Sequence, residues 1–406
     1  MGFFKSLFGG STEPPTPEQF AGIVAEAIRR AGETRPWTFD STEFRLVYAE
    51  NGKESRIVNL ANLHIEYCTL PPGDRKAWLK RTAVAMINPM ELPEDFEDVR
   101  PDLMPSIRPR AFLEHMRLDA LIKGNAPLEM AHLPLTDHLV ICLVYDLPTS
   151  MRFVMHDQIE TWGITLYEAL EVAMQNLAER DCPMMALGDK LYIIETGDSY
   201  DATRLLMKDR VQRLDFNGLP VALPLSRNTL FMTGSDDVEG LGIMADLAEK
   251  KSHEARSLCP IPAILRDGEW ETWLPPADHP HFEAFHLFEL KFLNGEYAEQ
   301  KVLLEKRNEQ TETDVFVATF SAIERDDKVR SWTTWSKDVP TWLPKTDYIA
   351  LFDPETEATR FAKWDRVASV VGDRMQEREC YPPRWSVEDF PSAEELERIG
   401  VDDWGK

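Results

Sequence analysis

Two pairs of turn-forming residues, each between strand-like segments, indicate how parts of this chain fold. Asn51-Gly52 lies between the apolar arms of FRLVYAENGKESRIVNL, and Asp267-Gly268 lies within PAILRDGEWETW. Asn-Gly and Asp-Gly readily adopt the left-handed backbone of tight hairpin turns, so each pair predicts two adjacent antiparallel strands. These segments indicate sheets that are mostly antiparallel and built from short strands.

Capped helices alternate with these strands. Thr16 and Gln19, and again Thr165 and Glu168, have the spacing of a capping box, in which each side chain bonds to the backbone of the other residue. After Thr165, apolar residues recur at helical spacing, which predicts an amphipathic helix. Helices and hairpins together predict an α+β fold of mixed helices and mostly antiparallel short sheets.

The composition of the chain changes near residue 280. The segment HFEAFHLFELKFLNGEYAEQKVLLEKR predicts one long helix, which we expect to be interrupted near Asn294-Gly295. Four short strand-like runs follow it: VFVATFSAI, RSWTTWS, DYIALFD and RFAKWDRVASVV. We expect a C-terminal helix followed by an antiparallel meander with aromatic cross-strand pairs.

Charge and cysteine content limit the classes of function. The formal net charge is -25 and the isoelectric point is about 4.8. Nonspecific nucleic-acid binding needs a cation-rich surface, so we predict no nucleic-acid partner. The five cysteines are scattered, odd in number and never spaced as Cys-x-x-Cys, which indicates a cytoplasmic protein with reduced thiols.

The N-terminal segment MGFFKSLFGGSTEPP has an apolar part that is too short to cross a membrane. Phe3, Phe4, Leu7 and Phe8 form a small apolar cluster that can contact a membrane surface or the groove of a partner. We interpret residues 1–15 as a flexible segment that packs loosely or frays. Attachment to a membrane surface through this cluster is kept as an alternative.

The segment ETGDSYDATRLLM concentrates polar side chains where a strand passes into a helix. Glu195, Asp198 and Asp201 are the candidate catalytic residues, because neighbouring carboxylates can hold a divalent ion. Asp198 also suits the N-cap of a helix that runs to about Leu214, with Asp201 in the first turn. We favour capping, and keep catalysis or binding at the helix start as open alternatives.

Further binding candidates lie in the same segment and in a tryptophan pair. Ser199, Tyr200 and Arg204 are polar groups close to the predicted helix start. Trp332 and Trp335 in SWTTWS lie three residues apart, so they point to opposite faces of a strand. We expect one of them in the core and the other on the surface, where an exposed aromatic patch suits a protein partner.

Other catalytic and cofactor motifs are incomplete. DHPHFEAFH contains Asp278, His279, His281, Glu283 and His286, but the HExxH spacing of zinc enzymes is missing. The sequence contains neither a GxSxG nucleophile motif nor a phosphate-binding glycine loop. We therefore assign no metal site and predict no cofactor.

Four sequence blocks between Trp162 and Trp270 have a recognisable order and spacing. They are WGITLYEALEVAMQNLAER, GDSYDATRLLM, GLPVALPLSRNTLFMTGSDD and PIPAILRDGEW. This arrangement resembles the bacterial YtpQ-like family, a group of uncharacterised cytosolic proteins, with the stretch from Asp198 to Ala202 as its most specific mark. The resemblance implies a soluble α+β fold and supplies no catalytic residues. The chain beyond about residue 280 does not share it.

The sequence divides into five predicted segments. They are a flexible N-terminal segment (1–15), an N-terminal α+β unit (16–150), an α+β core that resembles the YtpQ-like family (151–276), a C-terminal helix with a β-meander (277–375) and an acidic tail (376–406). The tail is rich in Asp and Glu, which is typical of a mobile chain end.

The leading functional hypothesis is a non-enzymatic binding or regulatory module that acts on a protein partner. It rests on the incomplete catalytic and cofactor motifs and on the acidic composition. The first alternative is a divalent-metal-dependent hydrolase that uses Asp198 and Asp201. The second alternative is a peripheral membrane protein that binds through residues 3–8.

Overall fold

The structure is a computed structural model that describes residues 14–50, 53–87, 91–127, 129–147, 150–325 and 328–402. Over these residues it contains twelve α-helices and several mostly antiparallel sheets, which confirms the predicted α+β class. The chain divides into two units. The first unit comprises the described residues of Met1–Leu103, Val144–Arg152 and His253–Ser257, and the second comprises those of Met104–Leu143, Phe153–Ser252 and Leu258–Lys406. The division into five segments remains a prediction.

The first unit is built around a three-stranded antiparallel sheet. Its elements are α1 (Pro17–Arg30), β1 (Thr38–Asp40), β2 (Arg45–Glu50), β3 (Lys53–Asn59), α2 (Ala61–Thr69), α3 (Arg75–Ile87) and α4 (Phe96–Val99). The capping box of α1 and the β2–β3 hairpin are confirmed, while the predicted turn residues Asn51 and Gly52 lie outside the described residues. Phe20 and Ile28 of α1 pack with Leu46 of β2 in the core.

A four-stranded sheet follows in the chain. Its strands are β4 (Leu103–Pro109), β5 (His132–Pro134), β6 (Leu139–Leu147) and β7 (Ser150–Phe153), and the helices beside them in sequence are α5 (Arg110–Ile122) and α6 (His156–Trp162). The strand order is β4-β6-β5, with β7 paired to β6. The apolar run HLVICLVYDL therefore forms a buried strand, as its composition predicts.

A six-stranded sheet forms the centre of the second unit. Its elements are α7 (Leu166–Glu179), β8 (Met185–Leu187), β9 (Leu191–Ile194), α8 (Lys208–Val211), β10 (Pro220–Ser226), β11 (Thr229–Gly234), α9 (Val238–Lys250), β12 (Ala263–Arg266) and β13 (Glu269–Thr272). The order is β13-β12-β10-β11-β9-β8, with antiparallel neighbours throughout. Alternate residues of β10 face separate cores, with Ala222 in one and Leu223 in the other, so both faces of the sheet are covered. The predicted hairpin at Asp267-Gly268 is confirmed as β12–β13.

The C-terminal part consists of a long helix and two four-stranded sheets. Its elements are α10 (Phe282–Thr311), β14 (Phe316–Val317), β15 (Ser321–Arg325), β16 (Lys328–Ser336), β17 (Thr341–Pro344), β18 (Tyr348–Asp353), β19 (Ala358–Lys363), α11 (Trp364–Val371), β20 (Gln376–Glu377), β21 (Arg384–Val387) and α12 (Ala393–Ile399). The orders are β15-β16-β18-β19 and β14-β17-β21-β20. Because β16 pairs with β18 in parallel, and β14 with β17, these strands form more than a simple antiparallel meander.

The predicted interruption of the long helix is wrong. α10 continues through Asn294 and Gly295, and its buried residues lie on both sides of this point, including Leu290 and Tyr297. Glycine costs an exposed helix position about 1 kcal/mol relative to alanine, and the burial of these neighbours outweighs that cost. Tertiary packing, which the local sequence does not display, therefore keeps the helix continuous.

Candidate functional site

The polar segment after β9 folds as a tight turn followed by a short 3-10 helix. Gly197 and Ser199 both have left-handed backbones, with φ of +78° and +70°. The 3-10 helix spans Ala202–Leu206 and ends at Met207, where α8 begins with the next residue. The prediction of one helix that begins at Asp198 and runs to Leu214 is therefore wrong.

Asp201 lies at the centre of this turn, and its side chain is fully buried. Its Oδ2 accepts hydrogen bonds of 2.8 Å from the backbone N–H groups of both Thr196 and Gly197. Its Oδ1 accepts a 2.6 Å bond from the Thr196 hydroxyl and a 2.9 Å bond from Nη1 of Arg204. The Asp201 carboxylate does accept hydrogen bonds from backbone amides. These amides belong to the turn before the 3-10 helix and not to the first turn of that helix.

Arg204 joins Asp201 to Asp198. Its Nη1 and Nη2 donate to the two oxygens of Asp198 at 2.9 and 2.6 Å, and Nη2 also donates to the carbonyl of Asp181 at 2.9 Å. Asp198 also accepts a 2.9 Å bond from the backbone N–H of Tyr200. The three charged side chains thus form one ion network, and the Arg204 side chain is only 1% exposed.

The pKa values of the two acids in this network are shifted in opposite directions. Burial works to raise the pKa of Asp198, but the hydrogen bonds from Arg204 and from the Tyr200 N–H, together with the positive charge of Arg204, outweigh it and hold the pKa below the usual value. Burial raises the pKa of Asp201, against the hydrogen bonds from Thr196 and Gly197. The guanidinium therefore supplies the positive charge that compensates the two carboxylates.

Because Arg204 already pairs with both acids, this network is poorly suited to binding a metal ion or to acid–base catalysis. The guanidinium of Arg204 lies where a cation shared by Asp198 and Asp201 would have to bind. Glu195 takes no part in this network and instead accepts a 2.6 Å hydrogen bond from Nζ of Lys251 at its Oε1. Among the described residues, no group of three or more His, Cys, Asp or Glu side chains has a metal-binding arrangement. These ion pairs and hydrogen bonds stabilise the turn after β9.

The other sequence candidates are dispersed. Tyr200 is buried, and the backbone N–H of Ser199 donates to Oδ1 of Asn228 at 2.9 Å. Trp335 is fully buried, whereas Trp332 is half-buried against Phe361. The two tryptophans do face opposite sides of β16, but neither forms an exposed patch. The apolar cluster of Phe3, Phe4, Leu7 and Phe8 lies outside the described residues.

The histidine segment also has structural partners. His281 precedes the first residue of α10, and its backbone N–H donates to Nδ1 of His279 at 3.2 Å. His286 lies on α10, with Nδ1 3.0 Å from Oε2 of Glu289 and Nε2 3.6 Å from Oδ2 of Asp347. His286 therefore takes part in an ion cluster with two carboxylates and does not form a chelate with the other histidines.

The surface that the sequence reasoning missed is the edge strand β8. Met185 and Leu187 are 53% and 40% exposed, and Met184 just before the strand is 39% exposed. Among the residues that the structure describes, β8 pairs with β9 alone, so its other side is the edge of the described sheet. The hairpin signal was available in the sequence, because Gly188 (φ +59°) forms the turn between two apolar runs.

The opposite edge of the same sheet, β13, is built differently. Glu269 and Glu271 are exposed there and alternate with the buried Trp270. Nζ of Lys208 lies 2.8 Å from Glu269, and Nη1 of Arg266 lies 3.0 Å from Glu271. Charged side chains along an edge strand discourage pairing with another chain, and β8 has no such charge among its three residues.

Comparison with known proteins finds relatives in Listeria. A UPF0354 protein of Listeria welshimeri is 30% identical over 141 residues, which is 32% of this chain and 52% of the relative. A UPF0354 protein of Listeria monocytogenes serotype 4b is 26% identical over 185 residues, 44% of this chain and 66% of the relative. A third, from Listeria innocua, is 27% identical over 139 residues, 32% of this chain and 52% of the relative.

The chain spans about half to two thirds of the length of the curated relatives that it matches. No family profile matches the chain, and no solved structure matches it. The relatives place the similarity in an uncharacterised bacterial family, while the YtpQ-like name remains a prediction. Among the described residues, no helix combines the length and the apolar character that a membrane span requires.

Proposed function

We propose that this chain is a non-enzymatic binding or regulatory module that binds a protein partner at the edge strand β8. The observation that carries this proposal is the exposure of Met185 and Leu187 on a strand that, within the described part of the chain, pairs on one side only. An extended segment of the partner would add to β8 as a further strand of the six-stranded sheet. Backbone hydrogen bonds would supply affinity, and alternate side chains would supply specificity.

The chemistry of β8 supports this mode of binding. An open edge presents backbone N–H and C=O groups that need partners, and apolar side chains beside them gain free energy when a partner covers them. Proteins protect sheet edges with short strands, charges, proline or a bulge. The glutamates of β13 supply charge on the other edge, whereas β8 has only its three-residue length. The contrast between the two edges favours β8 as a surface that is kept available for binding.

The charge near β8 indicates the chemistry of the partner. Glu179, Asp181 and Asp189 are exposed close to the strand in the sequence, where Arg180 and Lys190 offset part of their charge, and the whole chain has a formal net charge of -25. An extended peptide with apolar side chains between Lys or Arg residues would complement this surface and would be steered to it by long-range attraction. We therefore assign a basic, extended peptide segment as the occupant.

A second copy of the chain suits this edge less well. β8 has three residues, and a stable dimer interface normally buries at least about 1,000 Å² in total. Two chains with a net charge of -25 also repel each other. A short peptide needs less contact area and has the opposite charge.

We also propose that the protein is cytoplasmic and that it belongs to the YtpQ-like family. All five cysteines are free, and Cys142 and Cys259 are buried as small apolar side chains, which supports a reducing compartment. The similarity to the Listeria proteins supports the family assignment only over the parts that align.

Selection of displayed peptides tests the function. A library of random extended peptides is selected on the purified chain and then on the double variant Met185→Lys/Leu187→Lys. We expect enriched sequences that alternate apolar and basic residues, with affinity about tenfold or more weaker for the variant, because two new charges oppose a basic peptide on the open edge. Val302→Lys is the matched control, since Val302 is a similarly exposed apolar residue on α10. Equal binding of the enriched peptides to wild type and the β8 variant, or no enrichment at all, would contradict the proposal.

A further inference from the structure

The helix α3 carries an excess of positive charge in a chain that is acidic as a whole. Between residues 67 and 90 the sequence contains one acid, Asp74, and four basic residues. The basic residues all lie in α3 and are Arg75, Lys76, Lys80 and Arg81. Over the full chain, by contrast, 70 Asp and Glu residues outnumber 45 Lys and Arg residues. The charge balance is therefore reversed at this one helix of the first unit.

Three of these cations are available to a partner. Lys76, Lys80 and Arg81 are exposed, and their positions fall on one side of a helix, because a turn takes 3.6 residues. Within the part of the chain that the structure describes, none of the three side chains forms an ion pair or a hydrogen bond. The exposed side of α3 therefore carries positive charge that the fold does not use.

Arg75 fixes the helix that carries this charge. Its guanidinium lies 4.9 Å from the ring centroid of Tyr67 and donates to the carbonyls of Leu70 and Cys68 at 3.2 and 3.1 Å. Tyr67 also lies beside Trp78 of α3, with ring centroids 6.1 Å apart. These contacts hold the start of α3 against α2, so the three free cations keep a fixed arrangement.

The N-terminal segment joins the described chain beside the same helices. The carbonyl of Pro15 lies 2.8 Å from Nε2 of His64 on α2, and α1 begins at Pro17. α1 in turn packs with α3 in the core of the first unit. Residues 1–13 lie outside the described residues, and a chain of that length can span up to about 45 Å, whereas α3 is about 20 Å long. The side chains of this segment are therefore within reach of any surface that α3 contacts.

The composition of the N-terminal segment distinguishes a membrane from a nucleic acid as the anionic partner. The segment contains four large apolar side chains, Phe3, Phe4, Leu7 and Phe8. The interfacial region of a bilayer takes up such side chains, whereas a nucleic acid offers phosphates, and its affinity depends on a larger number of cations. Attraction to lipid headgroups decays within about 10 Å at 0.1 M salt, so acids elsewhere on the chain weaken it little.

We propose that the first unit attaches to an anionic membrane surface, with Lys76, Lys80 and Arg81 on the lipid headgroups and the apolar side chains of residues 3–8 in the interfacial region. Attraction to the headgroups and burial of apolar side chains add, so the two together bind more tightly than either one. The surface is independent of the β8 edge, because α3 belongs to the first unit and β8 to the second. Either proposal can fail while the other holds.

Co-sedimentation of the full chain with lipid vesicles tests the proposal. Equimolar vesicles of phosphatidylglycerol and phosphatidylcholine are compared with vesicles of phosphatidylcholine alone, at about 50 mM and about 300 mM salt. We expect binding to the anionic vesicles that weakens at the higher salt, little binding to the neutral vesicles and no binding to duplex DNA. Equal binding to both kinds of vesicle, or binding to DNA without binding to vesicles, would overturn the proposal.

A variant of α3 tests the basic side directly. Lys76→Gln/Lys80→Gln/Arg81→Gln should weaken binding to the anionic vesicles by about 100-fold, because each cation close to such a surface strengthens binding about fivefold. Glutamine is a good helix former, and the three side chains have no described partner to lose, so the midpoint of urea unfolding should not change. Wild-type binding by this variant would overturn the proposal.

Two further variants complete the test. Lys250→Gln/Lys306→Gln/Lys363→Gln changes the net charge by the same amount at exposed lysines of the second unit, and it should bind like wild type. Phe3→Ser/Phe4→Ser keeps the charge and should weaken binding by about tenfold or more, because it removes apolar side chains from the interface. A loss in the lysine control equal to that in the α3 variant, or wild-type binding by the phenylalanine variant, would overturn the proposal.

Discussion

Arg204 and Asp198 form a two-point ion pair beneath the surface of the second unit, with Nη2 of Arg204 2.6 Å from Oδ2 of Asp198. The same guanidinium bonds to Asp201, whose side chain is fully buried. A buried charge is tolerated only with such partners, and the loss of one partner leaves the other uncompensated. The segment with the most chemically suggestive sequence is thus held together by internal charge pairing.

Replacement of Arg204 should be severely destabilising. Arg204→Met keeps most of the side-chain volume but leaves two neighbouring carboxylates without a cation, so we expect the free energy of unfolding to fall by about 3–5 kcal/mol in a urea titration. Arg210→Met is the control, because Arg210 is exposed and its Nη2 bonds to the carbonyl of Ala178. The control should cost less than about 1 kcal/mol. Similar losses in both variants would show that the network does not brace the turn.

The two acids of the network should differ in importance. Asp201→Ala removes a buried acceptor of four hydrogen bonds and should cost about 3–5 kcal/mol. Asp198 is 27% exposed, so water can replace part of what is lost in Asp198→Ala, and about 1–2 kcal/mol is expected. Thermal and urea unfolding of both variants measure the difference. The reverse ranking would refute the assignment of Asp201 as the central acceptor.

His286 should make stability depend on pH in the alkaline range. Burial works to lower the pKa of His286, but the carboxylates of Asp347 and Glu289 outweigh it and raise the pKa from 6.5 to about 9. The folded state therefore binds the proton more tightly than the unfolded state does. The resulting stabilisation is complete below about pH 6.5 and is lost as the pH rises through about 9.

The variant His286→Gln measures this contribution. The difference in unfolding free energy between wild type and variant should shrink by about 1–2 kcal/mol between about pH 6 and pH 9.5, a figure discounted for the partly hydrated carboxylates. His156→Gln, at an exposed histidine, should show no such trend. A difference that stays constant with pH would mean that His286 is not charged in the folded protein.

Glu296 should act in the opposite direction. Burial, together with the charge of Glu299, raises the pKa of Glu296 from 4.5 to about 7, and no described residue donates a hydrogen bond to its buried Oε2. The folded state binds this proton more tightly, so stability falls as the pH rises from about 4.5 through about 7. Ionised Glu296 therefore destabilises the folded state at neutral and alkaline pH.

The variant Glu296→Gln removes this destabilising charge. It should unfold at the same free energy as wild type near pH 5 and be about 1–3 kcal/mol more stable near pH 8, as measured by urea unfolding at both pH values. Glu309→Gln, at an exposed glutamate of the same helix, serves as the control and should differ little from wild type at either pH. A Glu296 variant that is less stable than wild type at pH 8 would show that the carboxylate has a stabilising partner.

Local sequence signals predicted much of the fold and little of the site. The capping boxes at Thr16 and Thr165 and the hairpin at Asp267-Gly268 depend on residues close in sequence, and the structure contains all of them. The continuity of α10 through Gly295 depends on packing with distant segments, for which the local sequence has no signature.

The contacts of the buried arginines could likewise be predicted only in part from the sequence. Arg204 follows Asp201 by three residues, so their pairing was accessible from the sequence, but its reach to the carbonyl of Asp181 was not. Arg384 is fully buried and donates to the carbonyls of Ala318 and Trp342, which lie far away in sequence. Exposure of β8 is likewise a property of the assembled sheet, because only the strand order reveals which strand lacks a second neighbour.

Hydrogen exchange on the peptide complex measures whether a bound peptide protects the backbone of β8. The chain is labelled in deuterated buffer with and without a saturating amount of the tightest peptide from the selection, and the uptake of each segment is measured by mass spectrometry. Strand addition predicts slower exchange in the segment that contains Met185, Ala186 and Leu187, with no change at β13. Unchanged exchange at β8 under saturation, or protection confined to another surface, would contradict the assignment of β8 as the binding edge.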